Sequence, residues 1–495
     1  MTHLLGIDLG TSSVKVLLID LAGRTIAVAA HEYPIETPHP GHAEQSPAAW
    51  WAAVVAAVRA VLAQAGKVDI QAIGLCGQMH GFALVDSAAQ PIAPAIIWPD
   101  QRTTAEVAVM QERIGAERLA YLAGTLPATG FMGPTMLWLQ KHQPSVLEKA
   151  AAALLPKDMI RAYLTGEIAT DASDASASGI FDIHQRTWSD EIVNTLGLPG
   201  HLLPRVLEST DIAGYLTPAA AEILGLPAGI PVAAGSADQA AQAVGNGLIE
   251  PGLGSVTLGT GGQVFIPLTQ PQTDIHLHTF CHAAPDRWYM MGAMLSAGMS
   301  LRWLRDMLGL REMPEAYTLL SDEAAEVPPG ADGLLFLPYL VGERSPLMDS
   351  QASGVFVGLS LHHNRAHLAR AIMEGVAFAL RHILDVMTAQ NVAVEGFLAA
   401  GNGLNSPIWR QITADILARP LRLSSSGEHT ALGAALIAGI GAGIYPDFAA
   451  LRTITTRPTT TTEPDTAHEA VYRQQYALFL QAYPALQGIM HGLKP

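Results

Sequence analysis

The segment Gly6-Ile7-Asp8-Leu9-Gly10-Thr11-Ser12-Ser13-Val14-Lys15 sets a carboxylate beside a glycine turn followed by hydroxyls. Asp8 there can hold Mg2+ through water, while turn amides from Gly10 onward and the Thr11 and Ser12 hydroxyls receive phosphate oxygens. Lys15 adds a point charge, or points to solvent from its strand. The plainer reading is a hairpin whose Asp caps its own turn. Gly259-Thr260-Gly261-Gly262 repeats that turn: a second amide cradle, or a hairpin in which Gly supplies positive φ. Gly401-Asn402-Gly403-Leu404-Asn405 lies between an apolar run and a helical pattern. Its glycines let a flat nucleobase or ribose lie on the backbone, with Asn405 bonding it, although many strand–helix loops look alike.

Asp238, in Gly235-Ser236-Ala237-Asp238-Gln239, stands at a helix start, placed to accept a hydroxyl proton during phosphoryl transfer. Asp is also a preferred helix cap, which lowers its pKa. The roles are compatible, because a loose transition state needs no strong base. Gln78-Met79-His80-Gly81 follows one apolar strand, and Trp98, Asp100 and Arg102 follow the next. Such residues at strand ends can grip a polyol, whereas a lone His there, like His282, equally serves as a structural residue. No two histidines show ligand spacing with a carboxylate partner that announces a zinc site.

These residues need elements to hold them. A chain of 495 residues exceeds one ordinary core, so two large domains or three small ones are expected. A formal net charge of −16 argues against nucleic acid or anionic membrane as partner, but not against nucleotides. With only Cys76 and Cys281 there is no disulfide framework, and Cys76 reads as a buried inert thiol. The N-terminus opens into a strand without a basic leader, so a soluble, acidic, cytoplasmic protein is expected. The apolar stretch Ala431 to Tyr445 falls short of the ~20 residues of a membrane span and predicts a packed interior helix.

Alternation predicts a meander through LLGIDLG, SVKVLLID and TIAVAAHEY, then a helix from Ser46-Pro47 to about Gly66. IQAIGLCGQ and IAPAIIW read as buried strands, and the pattern from Ala105 to Lys157 as helical with breaks near Gly124–Gly133. LGTSSVKVLL from Leu9 and LGTGGQVFIP from Leu258 are similar hairpins half a chain apart, which predicts two duplicated α/β domains. A long helix is expected over Arg365–Gln390, a Thr-rich linker over Thr453–Thr462, and a final helix from Ala467 to about Ala485. The domain reading is 1–245, 246–452, and 453–495 as linker and C-terminal helix.

Taken in order, GIDLGTSSVK, GFMGPTMLWLQKH, VTLGTGG, GVFVGLSLHHNRAHLARAIMEG and AGNGLNSPIWRQITAD resemble the FGGY carbohydrate kinases of the actin-like ATPase superfamily, over nearly the whole chain. GQMHG, the Trp98–Arg102 stretch, LLPKD and FLPYLVGERSP are similar to the branch that phosphorylates the ketopentose D-xylulose at O5. The resemblance implies an α/β fold of two ribonuclease-H-like domains flanking a catalytic cleft and closing on substrate. It implies ATP on the second domain, bound by Gly10, Thr11, Ser12, Lys15, Gly259, Thr260, Gly401, Asn402 and Asn405, with Mg2+ near Asp8. The sugar would lie on the first domain against Met79, His80, Trp98, Asp100 and Gln239, with Asp238 as base. Thr135, Gln239, Asn402 and Pro99 depart from the family pattern and bear on which sugar fits. Kinases of ribulose, gluconate or glycerol, and an actin-like ATPase acting on a protein, are the alternatives; a silent binding protein fits poorly with retention of Asp8 and Asp238. Oligomeric state is left open, a homodimer included.

Overall fold

Three apolar runs joined by Gly-containing turns form the expected meander: β1 (Thr2–Leu9), β2 (Ser13–Asp20) and β3 (Thr25–Glu32), successively antiparallel. On its other edge β1 runs parallel to β4 (Asp69–Gly77), with Asp8 beside Cys76. β5 (Ile212–Tyr215) and β6 (Pro231–Ala233) complete the order β5-β6-β4-β1-β2-β3, and the short β7 (Ser236–Ala237) also pairs with β4. These come from a computed structural model describing residues 2–424, 427–455 and 458–493. Thr456 and Arg457 of the expected linker lie outside the described residues.

The helix Pro47–Ala65 starts as predicted, with Ser46 Oγ accepting from Ala49 N and Pro47 in its first turn. It is long and apolar enough to cross a membrane, yet it lays Trp50, Val54, Val58 and Val61 on the sheet with no exposure. The apolar stretch after Ala431 forms the helix His429–Gly441, buried through most of its length. It rests directly on strand backbone, because a Cβ on Gly6 or Gly74 would collide with the Ala431 or Ala434 carbonyl. The same helix meets the helix Asp238–Gly245 through Gly433 and Gly245, again backbone to backbone.

By contacts the chain divides into Met1–Ile249 with Thr269–Tyr289 and Ser426–Thr456, and Glu250–Leu268 with Met290–Ser425 and Arg457–Pro495. The second unit repeats the strand plan of the first. β8 (Gly252–Leu258) is antiparallel to β9 (Gly262–Leu268) and parallel to β11 (Val394–Ala400), the sheet order being β10 (Trp288–Met294), β9, β8, β11, β12 (Leu421–Ser424), β13 (Pro458–Thr462). The duplication predicted from two turns therefore extends to both sheets. β13 is a correction: its residues, expected as linker, pair antiparallel with β12, since β-branched Thr suits a pleated edge despite its polarity. The long helix Arg365–Ala389 stands as expected, and the last helix runs further, Glu469–Leu493.

Candidate functional site

In the first unit, the parallel strands β1, β4 and β7 end at one edge, and their ends carry the two aspartates. Cys76 pairs with Asp8 on one side and with Ser236 on the other, two residues before Asp238. Cys76 Sγ lies 3.6 Å from Asp8 Oδ1. Burial pushes its thiol well above the usual range, so it stays protonated, in keeping with the inert reading. Asp238 is the first residue of its helix, yet the cap position belongs to Ala237 and no side chain caps there. The capping alternative for Asp238 therefore falls away. Burial, then the charge of Asp8, raises Asp238 to about 7, against contacts from the main chain and side chain of Gln239 that lower it. Its Oδ1 is covered and has no hydrogen-bond partner among the described residues. Burial likewise raises Asp8 to about 6. Asp8, half-buried at the end of β1, offers carboxylate oxygens of the kind that fit a hard cation such as Mg2+.

The first turn is tied down from several sides. Gly10 N bonds Ser13 O at 3.0 Å, the Gln45 side chain donates to Thr11 O at 2.7 Å, and Trp98 Nε1 donates to Thr11 Oγ1 at 2.9 Å. Ser12 is exposed, and Lys15 Nζ pairs with Glu428 Oε2 at 2.6 Å. Just beyond the end of β4, Met79 is buried and His80 sits in the left-handed region at φ 77, a costly conformation for a non-glycine. The His80 ring stacks on Phe131 with centroids 3.9 Å apart, and its Nδ1 lies 2.7 Å from Ala177 O. Asp100 is different in kind. It is fully buried and its carboxylate receives Ala43 N and three contacts from the Arg102 guanidinium, so its acceptor capacity goes to protein donors.

Sequence reading missed a buried ionic cluster behind Asp238. In the helix Pro156–Thr165, Lys157 Nζ lies 2.6 Å from Asp158, 2.7 Å from Asp171 and 3.4 Å from Asp174, all without exposure. Arg161 pairs with Asp158 at 2.7 Å and donates to the Ala234 and Ala169 carbonyls. Asp171 Oδ2 accepts from Ser173 N, Ser173 Oγ and Ser209 Oγ, while Ser173 Oγ accepts from Ala237 N at 3.1 Å. The cluster thus holds the residue that precedes Asp238. Two cations balance two of its three carboxylates. The third is Asp174, whose oxygens have no hydrogen-bond partner among the described residues and whose pKa burial drives well up, favouring its protonated form. The sequence signals were LLPKD, which holds Lys157 and Asp158, and the density of Asp and Ser over 170–178.

In the second unit, the turns after β8 and β11 lie side by side, Thr257 pairing with Ala400. Gly401 takes φ 83 there, and a Cβ on it would strike the Leu258 carbonyl. Beside them opens a cavity of about 360 Å³ lined by Gly259, Thr260, Asn402 and Gly403 and, unforeseen from sequence, by Arg302 and Tyr317. That volume is at the lower end of small-ligand pockets. Asn405 is exposed and does not line it. The Thr260 turn is fixed by Ala297 N and Met299 N on Thr260 O and by Gly298 N on Gly259 O. Glu343 anchors the segment that supplies those donors, accepting from Leu295 N at 2.9 Å; burial raises its carboxyl to about 7.

Comparison with known proteins agrees with this geometry. Residues 3–245 match the N-terminal domain, and residues 254–442 the C-terminal domain, of the FGGY family of carbohydrate kinases. The chain is 37% identical to a xylulose kinase of Escherichia coli K12, over 98% of this chain and 99% of that one. It is 35% identical to one of Lactococcus lactis, over 100% and 99%. The crystal structure of xylulose kinase from Rhodospirillum rubrum superposes with a TM-score of 0.94 at 32% identity, covering 99% of this chain and 100% of that one. Two α/β sheets with a repeated plan, the motifs in order and similarity over the full length place the chain in the FGGY family of carbohydrate kinases.

Proposed function

We propose that the protein phosphorylates a ketopentose, D-xylulose, at O5 with ATP, Asp238 serving as the base. The observation that carries the reading is the Asp238 carboxylate, raised to about 7 with a covered oxygen that no donor satisfies among the described residues. Such an oxygen accepts a substrate hydroxyl without displacing a protein partner, and its pKa suits taking a proton near neutrality. As the sugar oxygen forms its bond to the γ-phosphorus, the bond from that phosphorus to the bridging oxygen of ADP breaks. The hydroxyl proton passes to Asp238 Oδ1. Met79 and the stacked, strained His80 orient the sugar, and the Gly259–Gly261 and Gly401–Gly403 turns hold the nucleotide beside their cavity. Asp8 would hold Mg2+ through water; when bound, the ion offsets negative charge on the phosphates. A cytoplasmic location accords with the net charge of −16.

The test is ADP release with Mg-ATP across pentuloses, polyols and aldonates. D-Xylulose should be the best substrate, and Asp238→Ala should leave less than a few per cent of kcat. Another preferred sugar would move the chain to a different substrate within the family, and ATP turnover independent of any sugar would favour an ATPase with a protein partner. Residual kcat above that level in Asp238→Ala removes the base assignment alone.

A further inference from the structure

We propose that Asp332, His362 and His367 form a surface site for a divalent transition metal on the second unit, independent of the kinase chemistry. One ligand atom from each residue lies within 4.8 Å of the others. Asp332 sits in the short turn Ala331–Gly333 at φ 50, His362 in the loop before the helix Arg365–Ala389, and His367 in that helix's first turn. The capping box of that helix orients His367: its Nδ1 accepts from Asn364 N at 3.4 Å, which leaves Nε2 facing Asp332 Oδ2 at 3.1 Å. A ring nitrogen and a carboxylate oxygen set face to face in this way are two donor atoms that a bound cation can share. His362 supplies the third. Ser360 Oγ engages its Nδ1 at 2.7 Å, an oxygen partner of the kind that fixes the tautomer of a metal-binding imidazole.

His363 packs at a tilt against both rings, 4.1 Å from His362 and 5.2 Å from His367 by centroid. Its nitrogens are used by the backbone, Nδ1 by Ser360 N and Nε2 by Asp332 O, so it shapes the loop instead of binding. Two imidazoles and one carboxylate without a thiolate suit Zn2+, Co2+ or Ni2+ and not Mg2+ or Ca2+, with water completing a tetrahedron. The adjacent helix start disfavours a cation, and the Asp332 charge opposes that effect.

The experiment titrates the metal-stripped full chain, free of nucleotide, with Zn2+ under equilibrium dialysis, and with Co2+ by visible absorption. We expect one Zn2+ per chain, an intense tetrahedral Co2+ spectrum, no competition from excess Mg2+, and a rise in Tm on adding Zn2+. Asp332→Asn and His362→Ala, both exposed and outside the helix cap, should each weaken Zn2+ binding at least about tenfold and abolish the Tm rise, with circular dichroism unchanged. Absence of stoichiometric binding overturns the site. So does binding that persists at wild-type strength in the Asp332→Asn/His362→Ala double variant, which would place the metal elsewhere.

Discussion

Lys157 and Asp174 make opposite predictions although they touch. Replacing Lys157 by Met keeps most of the volume and removes the cation shared by three buried carboxylates. Breaking a buried pair by deleting one partner costs about 3–5 kcal/mol. Arg161 still serves Asp158, and Asp171 retains three hydrogen bonds, so the loss should fall near the lower end, about 3 kcal/mol. Asp174→Asn should act as the exchange of one neutral group for another, because burial raises the Asp174 pKa and favours its protonated form. It should cost less than about 1 kcal/mol, the scale of a substitution that breaks no pairing.

The pH dependence sharpens the contrast. Asp174 has a folded pKa above its unfolded value, so above about pH 4 the folded chain binds more protons than the unfolded one. That contribution lowers stability as pH rises toward the folded pKa, by about 1.4 kcal/mol per unit. Asp174→Asn removes the slope, and its stability relative to wild type should climb as pH rises above about 4. Lys157 behaves oppositely: its pKa is raised, so its stabilisation is complete below about pH 10 and the Lys157→Met deficit should stay flat across that window. The assay is urea unfolding followed by circular dichroism at several pH values, reading the first transition of a two-unit chain. If Asp174→Asn loses as much as Lys157→Met, or if its difference from wild type does not change with pH, the assignment of the proton to Asp174 is wrong.

Substitutions at two positions probe the second unit. Gly401→Ala forces a Cβ into the Leu258 carbonyl at a positive φ; we expect a loss of about 2 kcal/mol or more and a KM for ATP raised about tenfold, measured by denaturation and steady-state kinetics with the sugar KM unchanged. Glu343→Gln keeps the oxygen that accepts from Leu295 N, whereas Glu343→Ala frees the segment clamping the Thr260 turn; only the alanine variant should raise the KM for ATP, several-fold, and equal effects would show that the acceptor is unimportant.

What the sequence made legible was local. The LGT turns at Leu9 and Leu258 announced two hairpins because a glycine turn between apolar strands is specified within a few residues, and both sheets follow from them. Ser46-Pro47 marked a helix start for the same reason. Polarity misled wherever tertiary pairing outweighed it. The Thr-rich run read as linker because it is polar, but β12 offered it an unpaired edge. Lys157, Asp158 and Arg161, charged and at a helix start, carry the pattern of a solvated face; their burial depends on Asp171 and on the Ala234 carbonyl, supplied by other segments. The absence of zinc-like spacing was read from neighbouring positions and took no account of Asp332, which the fold returns to His362 and His367 from a separate turn earlier in the chain. Asp238 shows how the two kinds of information combine. Its place at a helix start was readable and suggested a cap, with a lowered pKa. The fold buries its carboxylate and sets Asp8 one strand away, and those two non-local facts raise the pKa that a cap would have lowered.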